Sequence, residues 1–156
     1  MHVRSWRETY RGLLPDAYLA RMSEAAFARR FRRALTVPGP NEVTLAAATR
    51  HGLVGYVQAG PSRARVENEA EIATLYVLAE AQGLGLGKRL LSGAARAMAA
   101  QGARSLMLSV LQDNARARGF YEHVGGVAQP PRPERGPGGT LLNEVAYRWA
   151  DIGKLL

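Results

Sequence analysis

Gln82-Gly83-Leu84-Gly85-Leu86-Gly87-Lys88-Arg89 is the stretch whose reading decides the fold. It follows an apolar, β-rich run, Glu71-Ile72-Ala73-Thr74-Leu75-Tyr76-Val77, and precedes an amphipathic one. Glycines between a strand and a helix let the main chain come close to a ligand, and the free N–H groups of a first helical turn meet an anion. Two common phosphate loops fail on counting. A Walker loop needs Gly-x-x-x-x-Gly-Lys and then Ser or Thr; counting back from Gly87-Lys88 the first position is Gln82, and Arg89 follows the lysine. A Rossmann turn needs Gly-x-Gly-x-x-Gly, but from Gly83 the third position is Lys88 and from Gly85 it is Leu90.

Downstream, Leu90, Leu91, Ala94 and Met98 form one apolar stripe, which predicts a helix from about Gly87 to Gln101. Alternating Leu106, Leu108 and Val110 predict a strand over Arg104 to Leu111, and Asn114 to Val124 reads as a short helix closed by Gly125-Gly126. Pro130 to Gly139 reads as a loop and Leu142 to Trp149 as a closing strand. Upstream, Glu42 to Ala48 and Leu53 to Ala59 form a hairpin across Thr49-Arg50-His51-Gly52, ended by Gly60-Pro61-Ser62. Before it, one helix runs from Val3 to Gly12, with Trp6 and Tyr10 on a shared face. A second runs from Ala17 to Leu35, stopped by Pro38-Gly39-Pro40, with Arg29, Arg30, Arg32 and Arg33 as a solvated face. The layout is α/β with a mixed sheet.

With Gln82, Gly85 and Gly87 in place, the stretch resembles the (Gln/Arg)-x-x-Gly-x-(Gly/Ala) signature of the GNAT superfamily of acyl-CoA N-acyltransferases. Glu71 to Val77 looks like that family's fourth strand, and Asn114-Ala115-Arg116-Ala117-Arg118-Gly119-Phe120-Tyr121-Glu122 like its later motif. The order of elements from Trp6 to Trp149 is similar too. The resemblance implies a GNAT-type, largely antiparallel central sheet with helices on both faces, in a single domain over residues 1–156.

It also implies a chemistry: transfer of acetyl from acetyl-CoA, as co-substrate and without a metal, to a primary amine that attacks the thioester directly. On that reading the strand end near Tyr76 and Val77 splays after a bulge and bonds the pantetheine arm. The amides of Gly83, Leu84, Gly85, Leu86, Gly87 and Lys88, behind Gln82, cradle the pyrophosphate. Asn114 meets the pantetheine, Tyr121 is the general acid for the departing thiolate, and Glu71 a general base acting through water. The alternatives are structural: Tyr121 as a core aromatic, Asn114 as a helix N-cap, Glu71 as the partner of an arginine. A coenzyme-binding regulatory module without turnover is the competing function.

The 156 residues suffice for a core without staples, and the absence of cysteine excludes a disulfide framework, a cysteine nucleophile and thiolate metal sites. His2, His51 and His123 have no metal-ligand spacing. No apolar run is long enough to span a membrane and no secretory leader is visible, so a cytoplasmic location is the expectation. The net charge of +8 raises nucleic acid as a partner, but no lysine-rich tail or aromatic-basic alternation supports it. The acceptor, small molecule or protein, is not encoded in any motif. Two departures from the family pattern stand out. The family usually opens with a strand beside the hairpin, but Val3-Arg4-Ser5-Trp6 already reads as helix, so that strand is either absent or lies ahead of Met1. If it is absent, the sheet edge is left exposed or covered by a partner chain, as in a homodimer. Gly126 stands where relatives often carry an aromatic, which predicts looser packing behind the second motif.

Overall fold

The structure, a computed structural model, describes residues 1–37, 39–136 and 139–156. Three helices come first: α1 (His2–Thr9), α2 (Asp16–Arg21) and α3 (Glu24–Thr36). A hairpin of β1 (Val43–Thr49) and β2 (Gly52–Pro61) leads to β3 (Glu69–Val77), a short 3-10 turn (Ala79–Ala81) and α4 (Leu86–Ala100). The chain continues through β4 (Ser105–Leu111), α5 (Ala115–His123), β5 (Val127–Ala128), β6 (Arg132–Arg135) and β7 (Leu141–Trp149), and closes with a 3-10 turn (Ile152–Leu155). Strand order is β1-β2-β3-β4-β7-β5, with β6 also paired to β7. Every pairing is antiparallel except β3 with β4. Among the described residues no strand precedes Val43, and β1 pairs with β2 alone.

Strand alternation sorts the side chains onto two faces. One carries Val57, Ala59, Ile72, Leu106, Leu108, Val110, Val145, Tyr147 and Trp149. Against it lie the α4 stripe of Leu90, Leu91, Ala94, Ala95 and Met98, and Tyr121 from α5. Helix α4 can lie close because Gly93 faces Leu45 of β1; an added Cβ would stand 2.9 Å from a Leu45 methyl. On the opposite face α1 to α3 build a smaller core from Val3, Leu14, Leu19 and Met22, joined by Leu111 and Leu142. Trp6 and Tyr10, 4.8 Å apart, share a face as their spacing predicts, and Tyr10 bonds Tyr76 of β3 hydroxyl to hydroxyl at 3.0 Å.

Several boundaries differ from those the sequence predicts. Helix α1 ends at Thr9, three residues before Gly12. The predicted helix from Ala17 to Leu35 is two helices. Met22 leaves α2 with ψ 123° and enters the smaller core, and the Ser23 hydroxyl then caps α3 by accepting from the Ala26 N–H at 3.2 Å. Arg7 closes the end of α2, donating to the carbonyls of Leu19, Ala20 and Met22. Of the predicted stop after α3, Pro38 lies outside the described residues. So do Pro137 and Gly138 of the predicted loop from Pro130 to Gly139. The rest of that loop is partly strand, since β6 satisfies the free edge of β7 from Leu141 to Glu144. Pro133, which has no N–H, is tolerated in such an edge strand.

Packing behind the second motif is tight, against expectation. The Trp149 indole, 1% exposed, fills the space beside Gly126 and donates to the Val124 carbonyl at 2.9 Å. The aromatic arrives from β7 rather than from position 126.

His2 also takes a structural place. Its ring stacks on Phe27 at 4.2 Å, and Nδ1 shares a hydrogen bond with the Tyr56 hydroxyl. Burial, then the nearby Arg30 charge, lower its pKa to about 4 from the usual 6.5. The fold thus favours neutral imidazole, while the unfolded chain takes up the proton first. Stability is full above pH 6.5 and is lost as the pH falls through the window from 6.5 to 4. A fully sheltered ring would contribute about 3 kcal/mol; discounting for solvent screening leaves about 1–2 kcal/mol. Thermal melts of wild type and His2→Phe at pH 7 and pH 4.5 check this. The wild type is expected to lose the larger share of its stability over that interval.

Candidate active site

Strands β3 and β4 are in register at Glu69–Ser105, Ala70–Leu106 and Glu71–Met107, and then part. A bulge at Ala73 in β3 coincides with the divergence, since Gln58 faces Thr74 whereas Ala59 faces Ile72. The bulge therefore lies three to four residues before Tyr76 and Val77. The wedge between the strands is a cleft of about 640 Å³. Ile72 to Val77 form one wall, Leu108 to Val110 with α5 the other, and α1 with its C-cap contributes Glu8, Thr9 and Tyr10.

The glycine stretch closes one end. Gly83 and Gly85 have φ of +77° and +74°, left-handed values that glycine adopts without the Cβ clash other residues meet. Gly85 is the N-cap of α4 and offers no side-chain acceptor, so the first amides of α4 carry no side-chain cap. Gln82, Gly83, Gly85, Leu86, Gly87 and Lys88 line the cleft, whereas Leu84 is 71% exposed and lies outside the lining. Gln82 also fixes the loop to β3, its Nε2 donating to the Val77 carbonyl at 2.8 Å. Gly87 lies close under Phe120, where an added Cβ would sit 3.3 Å from the ring. Room, an open helix N-terminus and Lys88 together fit an elongated ligand with a diphosphate.

Asn114 caps α5, its side-chain oxygen accepting from the Ala117 N–H at 3.1 Å, and it lines the cleft as well. Tyr121 is 8% exposed and packs near Tyr147 and Trp149, yet it borders the cleft, and its hydroxyl has no hydrogen-bond partner among the described residues. Burial pushes the phenol well above its usual range, so it keeps its proton at neutral pH. Glu71 is held elsewhere. Its buried carboxylate accepts from Arg63 Nε at 2.7 Å, from the Arg63 guanidinium NH2 group and from the Arg63 backbone N–H at 2.8 Å, and it does not line the cleft.

Arg116, His123 and Ser109 border the cleft without having been singled out in the sequence. For Arg116 a signal existed: it stands two residues after Asn114, in the first turn of the second motif. Among the described residues no group of three or more His, Cys, Asp or Glu is placed to hold a metal ion, and no helix is long and apolar enough to cross a membrane.

A strand pair that opens onto an uncapped, glycine-led helix agrees with a comparison against known families. The model of the acetyltransferase (GNAT) family matches residues 3–126. The chain belongs to the GNAT family. It is thus an N-acetyltransferase dependent on acetyl-CoA. An uncharacterised N-acetyltransferase of Bacillus subtilis (strain 168), YuaI, is 28% identical over 162 residues, covering 99% of this chain and 87% of that one. Two solved structures share the fold of this GNAT protein. The PaiA N-acetyltransferase from Thermoplasma acidophilum, in complex with coenzyme A, superposes with a TM-score of 0.64 at 23% identity, over 91% of this chain and 86% of that one. The ribosomal-protein-S18-alanine N-acetyltransferase from Escherichia coli does so with a TM-score of 0.60 at 21% identity, over 81% and 76%.

Proposed function

We propose that this chain moves the acetyl group of acetyl-CoA to a primary amine by direct attack, with the coenzyme lying in the wedge between β3 and β4. The observation that carries the reading is the uncapped N-terminus of α4, which opens into that wedge behind two left-handed glycines. The coenzyme supplies an activated thioester. The chain's own residues bind, orient and move a proton. Amides around Gly83 to Lys88 hold the diphosphate, with Lys88 and Arg116 adding charge. The β3 edge from Ile72 to Val77, with Tyr76 and Val77 at its far end, offers main-chain groups to the pantetheine arm as a neighbouring strand would. Asn114 caps α5 and faces the same arm. Tyr121 donates its proton to the leaving sulfur.

Deprotonation of the incoming ammonium falls to a carboxylate on the α1 side of the sheet. Glu71 is the residue that position suggests, acting through water, and it would have to share its oxygens with Arg63. The acceptor is a small molecule or a protein amine. Because the acyl donor is an intracellular metabolite, the reading goes with a cytoplasmic enzyme.

Two measurements test it together. Acetyl-CoA at about 100 times its Kd is expected to stabilise the fold by about 2.7 kcal/mol, or some 5–10 °C in Tm. Thiol release is then followed with a panel of amines. No stabilisation by acetyl-CoA would defeat the placement of the coenzyme. Stabilisation without thiol release from any amine would leave only a coenzyme-binding module.

A further inference from the structure

The cleft has two unlike faces. Toward α4 it is walled by apolar side chains that belong to the main core, Leu75 and Leu108 among them. Strand alternation turns Thr74, Tyr76 and Ser109 the other way, toward α1, which adds Glu8 and Thr9 and then Tyr10 at its C-cap. All of these carry a neutral hydroxyl except Glu8, and Glu8 is the one acidic residue lining the cleft among the described residues. Both its oxygens are engaged. Oε1 accepts from Arg4 Nε at 2.8 Å, and Oε2 accepts from the Ala79 N–H at 3.3 Å. Arg4 is fixed in turn by Glu80, to which its guanidinium donates at 2.6 Å.

Two of the hydroxyls already stand side by side. Tyr10 and Tyr76 are bonded oxygen to oxygen at 3.0 Å, and the Trp6 ring packs against both, with centroids 4.8 and 6.3 Å away. Burial raises the pKa of each phenol, so both are protonated and neutral at physiological pH. One of the two donates to the other, which leaves the pair one hydrogen and three lone pairs. A primary ammonium brings three N–H donors and no acceptor, so the pair can receive it.

We propose that the Tyr10–Tyr76 hydroxyl pair receives the ammonium of the acceptor, and that the acceptor is a monoamine, one ammonium on an uncharged body. The inference rests on the acetyl-transfer reading above and narrows its acceptor. With the coenzyme laid along the parted strands, the hydroxyl-lined face is the one left for the amine. A second positive charge drawn into the cleft would lose water and meet no free carboxylate, which disfavours polyamines and aminoglycosides. Arg4 sets that preference by occupying Glu8.

The test uses amines of equal reach and unequal charge, with acetyl-CoA saturating. Hexylamine is paired with 1,6-diaminohexane, and phenethylamine is compared with spermidine. In wild type, kcat/KM for hexylamine is expected to exceed that for 1,6-diaminohexane by about tenfold, although the diamine offers two reacting ends. Tyr10→Phe and Tyr76→Phe are each expected to raise the hexylamine KM about tenfold. Their kcat should stay within about threefold, as for a lost binding contact, and stabilisation by acetyl-CoA should persist. Arg4→Gln, which frees Glu8, is expected to shift the ratio of the two amines toward the diamine by about threefold.

Wild type that takes 1,6-diaminohexane and spermidine as well as the monoamines, or better, overturns the acceptor class. An unchanged hexylamine KM in both tyrosine variants overturns the role of the hydroxyl pair, and an unmoved ratio in Arg4→Gln overturns that of Arg4. Should one tyrosine variant fail to fold, the other decides, and the wild-type ratio needs neither. Wild type that is stabilised by acetyl-CoA yet releases no thiol with any of the four amines fails the underlying reading, and this inference with it. Turnover that favours the polycations fails this inference alone.

Discussion

Tyr121→Phe is expected to lower kcat by about 100-fold or more while leaving acetyl-CoA affinity and thermal stability nearly unchanged. Several facts combine in that result. The ring is buried among Phe120, Tyr147 and Trp149, and phenylalanine keeps every one of those contacts. The hydroxyl has no protein partner among the described residues, so its removal strands no donor or acceptor. What disappears is the proton that the reading above assigns to the leaving sulfur. The two roles open to Tyr121 therefore give opposite outcomes. A purely packed tyrosine would lose nothing measurable in turnover. Stopped-turnover assays on the best acceptor, with differential melts as control, separate them. The pH profile adds a second check: burial holds the phenol above its ordinary range, so no alkaline loss of rate assignable to Tyr121 is expected below about pH 10.

Gly126→Ala is expected to damage the fold although it adds a single methyl group. A Cβ there would stand 2.8 Å from the Trp149 indole and 2.9 Å from the Tyr121 backbone oxygen. Neither neighbour can yield cheaply, because Trp149 is enclosed on every side and Tyr121 belongs to a helix whose end is fixed by the Gly126 N–H bond to that same oxygen, at 2.9 Å. Overpacking of this kind costs about 1–3 kcal/mol, and for a chain of this length about 2–4 °C in Tm is lost per kcal/mol. Thermal denaturation should show a fall of about 2–12 °C. Because the displaced atoms belong to Tyr121 and its helix, activity should fall further than the loss of folded protein explains. An unchanged Tm would mean that the indole is free to move, contrary to its burial.

The coenzyme half of the site was more legible in the sequence than the acceptor half, and the reason is physical. Main-chain recognition of a diphosphate calls for left-handed glycines at fixed places and an open helix start, and such backbone demands leave a pattern, as Gly83 and Gly85 do. Asn114 left one too, because caps are local. The acceptor side has no equivalent code. Glu71 was singled out by position along one strand, yet its occupation by Arg63 depends on how the β2–β3 loop folds back eight residues earlier. The break between α2 and α3 was missed because helical periodicity continues across it, although Ser23 carried a capping signal. The edge strand β6 hid within a Pro- and Gly-rich segment whose composition argues for a loop. Trp149 beside Gly126 shows the limit most plainly: a gap judged from one position was filled from another 23 residues away.

The short pairing of β3 with β4 has a mechanical consequence. Three residue pairs join a half built on β1, β2 and β3 to a half built on β4, β7 and α5. Other ties pass through α4 and the terminal turn, where Ile152 and Leu155 reach back into the α4 core, through Leu111 and Leu142 in the α1–α3 core, and through the Arg148–Glu69 ion pair. Such a body has a seam, and its two sides can breathe against each other more freely than either can deform. A long molecule laid along the seam and bonded to both lips acts as a splint, so the empty protein should be the looser one and the loaded protein the one whose reacting groups hold their spacing.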